Sequence, residues 1–437
     1  MKQRTPPDRQ PAILPRPFAL NFFRNAIRFF YINPRVKRKL DCDRKKLPPQ
    51  FVLLCNHPSG LDNLYAVDWL LPEHKLNFIS NRYYFFKTAL GRMLRKVGCI
   101  PKSLFTGDIE SVKNCLRIAK AGGNIGIMAD VRLSMYGQTE DVPDTTARFL
   151  KKLGLPVVVM HFDGSYMTKP KWAKDIRKGM ILAKCYELFD SASLAAATDE
   201  EVTSKMREAL YYDDFEWIKK HPEITFKSKK MAEGLENILY KCPHCGKEFC
   251  LKSKKDRFFC TSCGYEVRLN PRYAFLPQRG FPLYFENLRD WFKAQKAEIA
   301  LAITDSDFCL SSPVLLKKRS KDGKTFLREA GRGTCTLSHG GLVYEGSADG
   351  ESLRLEFKSS ELYALSYLTG KGFQHFSGTD YFCFMPGAAA FNQILHSRRA
   401  VGQNARRKGL TENSRRSAKP VAGAIYILKK TKQKDGF

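Results

Sequence analysis

The chain has 437 residues, enough for two or three domains, and carries 74 Lys+Arg against 44 Asp+Glu for a formal net charge of +30. No run of about 18 apolar residues occurs, so no transmembrane helix is expected, and the polar, proline-rich start lacks the cleavage site of a secretory signal. The positive excess is drawn to polyanions, either nucleic acid or an anionic membrane surface.

Residues 1–48 read as a basic arm around one helical pattern, Phe18 to Tyr31. Asn21, Arg24, Asn25 and Arg28 fall on one narrow helix face, while Phe22, Phe23, Ala26, Ile27, Phe29 and Phe30 cover the remainder. A phenylalanine-rich helix beside arginines suits the headgroup region of a bilayer. A helix packed on the protein's own core is the competing reading. The basic runs Arg35 to Lys39 and Arg44 to Lys46 favour the membrane, since each cation near an anionic surface adds about 1 kcal/mol.

From residue 49 to 190 strands alternate with helices, which predicts an α/β core, a mixed sheet flanked by helices. Phe51 to Cys55 form an apolar strand that runs into Asn56-His57-Pro58-Ser59-Gly60-Leu61-Asp62, and a helical pattern follows to Leu71. Such a turn lets Asp62 reach an imidazole nitrogen of His57. The carboxylate would fix the tautomer and leave the other nitrogen free to take a proton from a hydroxyl. The spacing itself is common in a chain with eight histidines, and an N-cap role for Asp62 is the plain alternative. Cys55 closes an apolar strand and reads as a structural thiol, not a nucleophile.

Lys75 to Ser80 follows as a strand, Tyr83 to Val97 as a helix, and Gly98-Cys99-Ile100-Pro101-Lys102 as a short strand with a basic end. A helix from Asp108 to Ala121 stops at Gly122-Gly123, and the strand Ile125 to Met128 leads into Ala129-Asp130-Val131-Arg132. The proline-led strand Gly154 to Met160 precedes Asp163-Gly164-Ser165-Tyr166.

In that order and spacing these four segments resemble motifs I to IV of the glycerolipid acyltransferases, the lysophosphatidate (1-acylglycerol-3-phosphate) acyltransferase-like enzymes. The resemblance implies transfer of a fatty acyl group from acyl-CoA or acyl-carrier protein to a lysophospholipid or glycerol phosphate hydroxyl, in phospholipid biosynthesis or remodelling. It makes His57 the general base and Asp62 its orienting partner. It assigns Asn56, Ser59, Lys102, Asp130 and Arg132 to substrate binding, with Ser59 or nearby backbone N–H groups at the developing oxyanion. Two segments depart from the family. Ala-Asp-Val-Arg stands where Pro-Glu-Gly is usual, and Lys102 stands where an arginine is usual and cannot reproduce its planar fork. A catalytically inactive lipid-binding or scaffold protein of the same fold is therefore an open alternative.

Residues 191–240 read as a helical extension, with a linker to Thr198 or Asp199 as N-cap and helical patterns over Asp199 to Tyr212, Phe215 to His221 and Lys229 to Tyr240. Cys242-Pro-His-Cys245 and Cys260-Thr-Ser-Cys263, each followed by glycine, give the pattern of a zinc ribbon over residues 241–270. Four thiolates fill a tetrahedral ion, so Zn²⁺ there is expected to be structural, with Cys250 a spare thiol. The other cysteines lack pairing spacing, which fits a reducing, cytoplasmic compartment.

Residues 271–395 read as a helix, Tyr284 to Leu301, followed by a small antiparallel β-domain of the kind found in pleckstrin-homology-like modules. The basic tail 396–437 reads as largely disordered, with Ala422 to Leu428 able to form a short element. A zinc-ribbon nucleic-acid binder is the rival from another class. Phe258 and Phe259 are not the dense aromatic-basic stripe that base stacking uses, so nucleic acid is the less expected partner. A peripheral position on the cytoplasmic face of a membrane follows from the arm.

Overall fold

The computed structural model describes residues 7–32, 35–105, 107–130, 132–140, 142–320, 327–360, 362, 365–377 and 380–386. The expectations for the basic tail and for Ala422 to Leu428 lie outside these residues.

Helix α1 (Pro17–Ile27) starts on a proline, whose missing N–H costs nothing at a first turn, and widens into a π-type turn over Arg28–Ile32. The core elements follow as β1 (Val36–Asp41), β2 (Val52–Cys55), α2 (Asp62–Leu70), β3 (Leu76–Asn81), α3 (Thr88–Lys96), β4 (Ile100–Lys102), α4 (Ile109–Lys120), β5 (Asn124–Met128), α5 (Thr145–Leu153), β6 (Val157–Asp163), α6 (Ser165–Thr168) and β7 (Gly179–Phe189). The strands form one sheet in the order β1-β7-β6-β2-β5-β3-β4, parallel throughout except between β6 and β7. This is the mixed α/β core expected. All four residues of β2 are buried because the strand is central and covered on both faces.

Leu20 is buried against Leu71 and Val97, while Phe18, Phe22, Phe29 and Phe30 are 86%, 70%, 72% and 65% exposed. Arg24, Arg28 and Arg38 converge on the buried Asp68 of α2. Helix α1 thus packs Ala19, Leu20, Phe23 and Ile27 inward beside Arg24, while Phe18 and Phe22 on the helix and Phe29 and Phe30 in the turn after it face solvent.

After the core come α7 (Ser191–Ala196), α8 (Asp199–Leu210) and α9 (Asp214–Lys219). The expected linker at 191–198 is in part a capped helix, because the Asp190 side chain accepts from Ser193 N–H. Thr198 caps α8 in a reciprocal pair with Glu201. The helix expected over Lys229 to Tyr240 is reduced to a 3-10 turn, Leu235–Asn237. Met231, Ala232, Leu235, Ile238 and Leu239 are all buried, so packing of its apolar residues holds the segment without a regular helix. The long helix expected over Tyr83 to Val97 likewise splits at Lys87, because Asn81 caps a 3-10 turn, Arg82–Phe86, before α3 begins.

A small antiparallel sheet, β8 (Leu251–Lys254), β9 (Arg257–Cys260), β10 (Glu266–Leu269) and β11 (Phe275–Pro277), carries the cysteine pairs. Helix α10 (Leu288–Ala302) follows. The chain then forms β12 (Cys309–Arg319), β13 (Leu327–Ser338), β14 (Gly341–Ala348), β15 (Glu351–Lys358), β16 (Ser366–Leu368), β17 (Gly372–Ser377) and β18 (Asp380–Pro386). These pair antiparallel in the order β15-β14-β13-β12-β18-β17-β16. The strands β12 to β15 and β16 to β18 pair in succession, the last strand closes back on the long first one, and β15 and β16 form the two edges.

The core does not stop at the ribbon. One buried apolar cluster runs from Met135 and Tyr136 after β5 and Tyr166 and Met167 of α6 through Phe258 and Trp291 to Leu316 and Phe384 of the last sheet. A second contact joins the far ends: Phe86 packs on Phe376 and Tyr381. Among the described residues no helix is long and apolar enough to cross a membrane.

Candidate functional site

Strands β6, β2 and β5 are neighbours, so their carboxyl ends gather His57, Asp130, His161 and Asp163 at one edge of the sheet, where open α/β sheets take ligands. The turn after β2 is held from inside. Asp62 opens α2 and is fully buried, and its Oδ2 accepts the Ser59 N–H at 2.7 Å and lies 3.2 Å from Nδ1 of His57. Its Oδ1 accepts the hydroxyl of Ser165 at 2.5 Å. Burial raises the Asp62 pKa, and the donors from His57, Ser165 and Ser59 work against that rise. The His57 side chain is 24% exposed, and its Nε2 has no hydrogen-bond partner among the described residues. A buried carboxylate thus orients an imidazole whose far nitrogen is open.

Asp130 takes a backbone part in the same turn: its Oδ2 accepts the His57 N–H at 2.7 Å. Its Oδ1 is buried without a hydrogen-bond partner among the described residues, and burial pushes its pKa up to about 8. Asn56 is fully buried and exchanges two hydrogen bonds with the Phe162 backbone at 2.8 and 2.9 Å, clamping β2 to β6. Ser59 is also buried, and its hydroxyl donates to the Lys169 carbonyl at 3.3 Å.

Arg132 is placed beside this group but closed by a carboxylate, with Nε 3.2 Å from Glu140 Oε2 and side chains 7% and 4% exposed. Lys171 stands near both. Burial, with the charge of Arg132 and against that of Glu140, brings its pKa down to about 8. Lys102 ends β4 opposite Asn81, and in the sheet order β5 and β3 separate it from β2. Glu140, Lys171 and Ser165 escaped the sequence reading. Ser165 lies in a segment noted for its position, whereas Glu140 and Lys171 carry no local signal.

The four expected cysteines converge. The sulfurs of Cys242, Cys245, Cys260 and Cys263 lie within 4.8 Å of one another, with 3.7 Å between Cys242 and Cys263 and 3.8 Å between Cys245 and Cys260. A tetrahedron of thiolates about 2.3 Å from a central ion has edges of about 3.8 Å, so this group can hold a metal ion. Gly246 and Gly264 follow the knuckles at φ 70° and 78°, the left-handed turn that a side chain would strain. The ribbon fold places the Cys250 thiol 3.2 Å from Cys260 Sγ, outside the four-sulfur group. His244 bonds the Tyr284 hydroxyl at 2.9 Å.

No family model and no curated protein matches this chain. Among solved structures, the 1-acyl-sn-glycerophosphate (LPA) acyltransferase PlsC from Thermotoga maritima is similar over 44% of this chain and 75% of its own, at 15% identity and a TM-score of 0.35.

Proposed function

We propose that this protein is an O-acyltransferase that moves a fatty acyl group from acyl-CoA or acyl-carrier protein to the hydroxyl of a lysophospholipid or glycerol phosphate. The observation that carries this reading is the His57 imidazole, oriented by the buried Asp62 and open at Nε2. Nε2 takes the acceptor's proton as its oxygen attacks the thioester carbonyl. The thiolate departs and receives that proton, which regenerates neutral His57. Backbone N–H groups around the start of α2 would receive the developing oxyanion.

Arg132 and Lys171 set two cations against Glu140, which supports an acceptor that carries an anionic group. The same pair gives the second reading its footing: an arginine already neutralised by Glu140 also fits a lipid-binding protein without turnover. Zn²⁺ at Cys242, Cys245, Cys260 and Cys263 would be structural, since four thiolates leave no open position. The outward Phe18, Phe22, Phe29 and Phe30 support a peripheral seat on an anionic, cytoplasmic membrane face. The seven-stranded antiparallel sheet supports a pleckstrin-homology-like role for the C-terminal region.

The test is transfer of label from radiolabelled acyl-CoA and acyl-carrier protein to a panel of acceptor lipids, with wild type and His57→Ala side by side. Label reaching one acceptor with wild type alone supports the enzyme and names its acceptor. Absence of transfer to every acceptor by folded, metal-loaded protein refutes it in favour of lipid binding.

A further inference from the structure

The geometry points to Ser165 as a third member of the dyad, a positioning residue that acts on His57 through Asp62. Its rate readout rests on the acyltransferase reading above. Among the described residues Asp62 receives three hydrogen bonds, from His57, from the Ser59 backbone and from Ser165. The Ser165 bond alone comes from a distant part of the chain, 103 residues away. It is also the one bond that engages Oδ1, the oxygen facing away from the imidazole. Ser165 is fully buried beside the carboxylate.

The serine is itself held on both sides. Gly164 sits at φ 74°, and a Cβ there would meet the Met180 carbonyl at 2.8 Å, so the turn into α6 is shaped for glycine. The buried Asp214 then receives the Gly164 and Tyr166 N–H groups at 3.0 and 3.1 Å, one on each carboxylate oxygen. Behind α6, the Tyr273 hydroxyl from the ribbon half donates to the Met167 carbonyl at 2.6 Å. A four-residue turn fixed from three directions is more support than a packing serine requires. It is what a hydroxyl aimed at one carboxylate oxygen requires.

The hydroxyl favours the ionised carboxylate most while His57 is neutral, less once the imidazole is charged, and least when Asp62 itself holds the proton. Removing it therefore makes the His57–Asp62 pair take up its first proton at higher pH, whichever of the two carries it. Cys55, Tyr65, Asp130 and Tyr212 also feel the Asp62 charge, from β2, α2 and the segments after β5 and α8. None of them hydrogen-bonds its carboxylate, so the Ser165 effect stands apart from theirs.

The experiment compares wild type, Ser165→Ala and Ser165→Cys, all metal-loaded. It follows acyl transfer against pH, and the pH midpoint of the His57 ring carbon by NMR of histidine-labelled protein. Ser165→Ala is expected to lower kcat about ten- to a hundredfold, the loss for one hydrogen bond to a charged group, with KM for the thioester held. The acid limb and the ring midpoint both move to higher pH. Ser165→Cys keeps the volume with a weaker donor and falls between, which guards against an alanine variant that fails to fold. An unmoved midpoint with wild-type kcat in either folded variant overturns the proposal. If wild type transfers no acyl group, the acyltransferase reading fails and the ring midpoint alone decides. A midpoint that moves up sustains the Ser165 link, and one that stays overturns it.

Discussion

Two histidine–carboxylate pairs stand at the same end of the sheet, and they differ in what is left free. His161 Nε2 lies 3.2 Å from Asp163 Oδ1, and its Nδ1 lies 3.0 Å from the Ala209 carbonyl at the end of α8. Burial opposes its charge, but Asp163 and the carbonyl outweigh burial and raise its pKa. Both nitrogens meet acceptors, which suits an imidazolium tying β6 to α8. His57 meets one carboxylate, and its Nε2 has no hydrogen-bond partner among the described residues. An imidazole bonded at both nitrogens is a brace; one bonded at a single nitrogen can move a proton.

The sharpest way to break this contrast is to replace each ring in turn. His57→Gln should lower kcat about 10³-fold, within the range of general-base removal, while His161→Gln keeps kcat within about threefold. Equal losses in a label-transfer assay would erase the distinction.

The four-cysteine group, which can hold a metal ion, offers the next contrast, because the shared core reaches α6 beside His57. Cys260→Ser removes one thiolate, and the unfolding free energy should fall by about 4 kcal/mol in a urea melt, with metal lost from the protein. Loss of metal without loss of stability would detach the ribbon from the site.

A smaller effect lies in pH. Asp130 is held near 8 in the folded chain against about 3.9 unfolded, so between those values the native state keeps a proton that the unfolded chain has released. Its contribution is fully present below about pH 4 and is lost as pH rises through 8, at a slope of at most about 1.4 kcal/mol per pH unit. His161 has the same sign: its share is present below the ordinary histidine value and lost above its raised folded value. Urea melts should therefore show these shares fading with rising pH, flattened by Asp130→Asn and, over its higher window, by His161→Gln. Slopes unchanged in both variants would refute the assignment.

The smallest expected effect is at Thr198, which caps the helix that carries Ala209. Thr198→Ala should cost about 1 kcal/mol of stability and leave kcat unchanged. A fall in kcat would mean that the His161 brace reaches the chemistry.

Much of this was legible before folding. The His57–Asp62 contact spans five residues inside one turn, so the strand that precedes it and the helix that follows nearly dictate it. The cysteine knuckles were equally plain, because two-residue spacing and a following glycine bring each thiolate pair onto one point. The antiparallel β character of residues after α10 was readable too, and of the two N-cap candidates, Thr198 and Asp199, the structure takes Thr198. The segment 229–240 misled, since buried apolar residues without a free face give the same local pattern as a helix.

The features readable from the chain are therefore local: strand, turn and helix, the orientation of one imidazole, and one thiolate cluster. Contacts between distant segments were settled only by the tertiary structure. They include the reach of Ser165 to Asp62 and the support of α6 by Tyr273. The physical reason is that backbone geometry fixes which side chains meet within a turn, whereas sheet order and packing decide which distant segments share a buried charge.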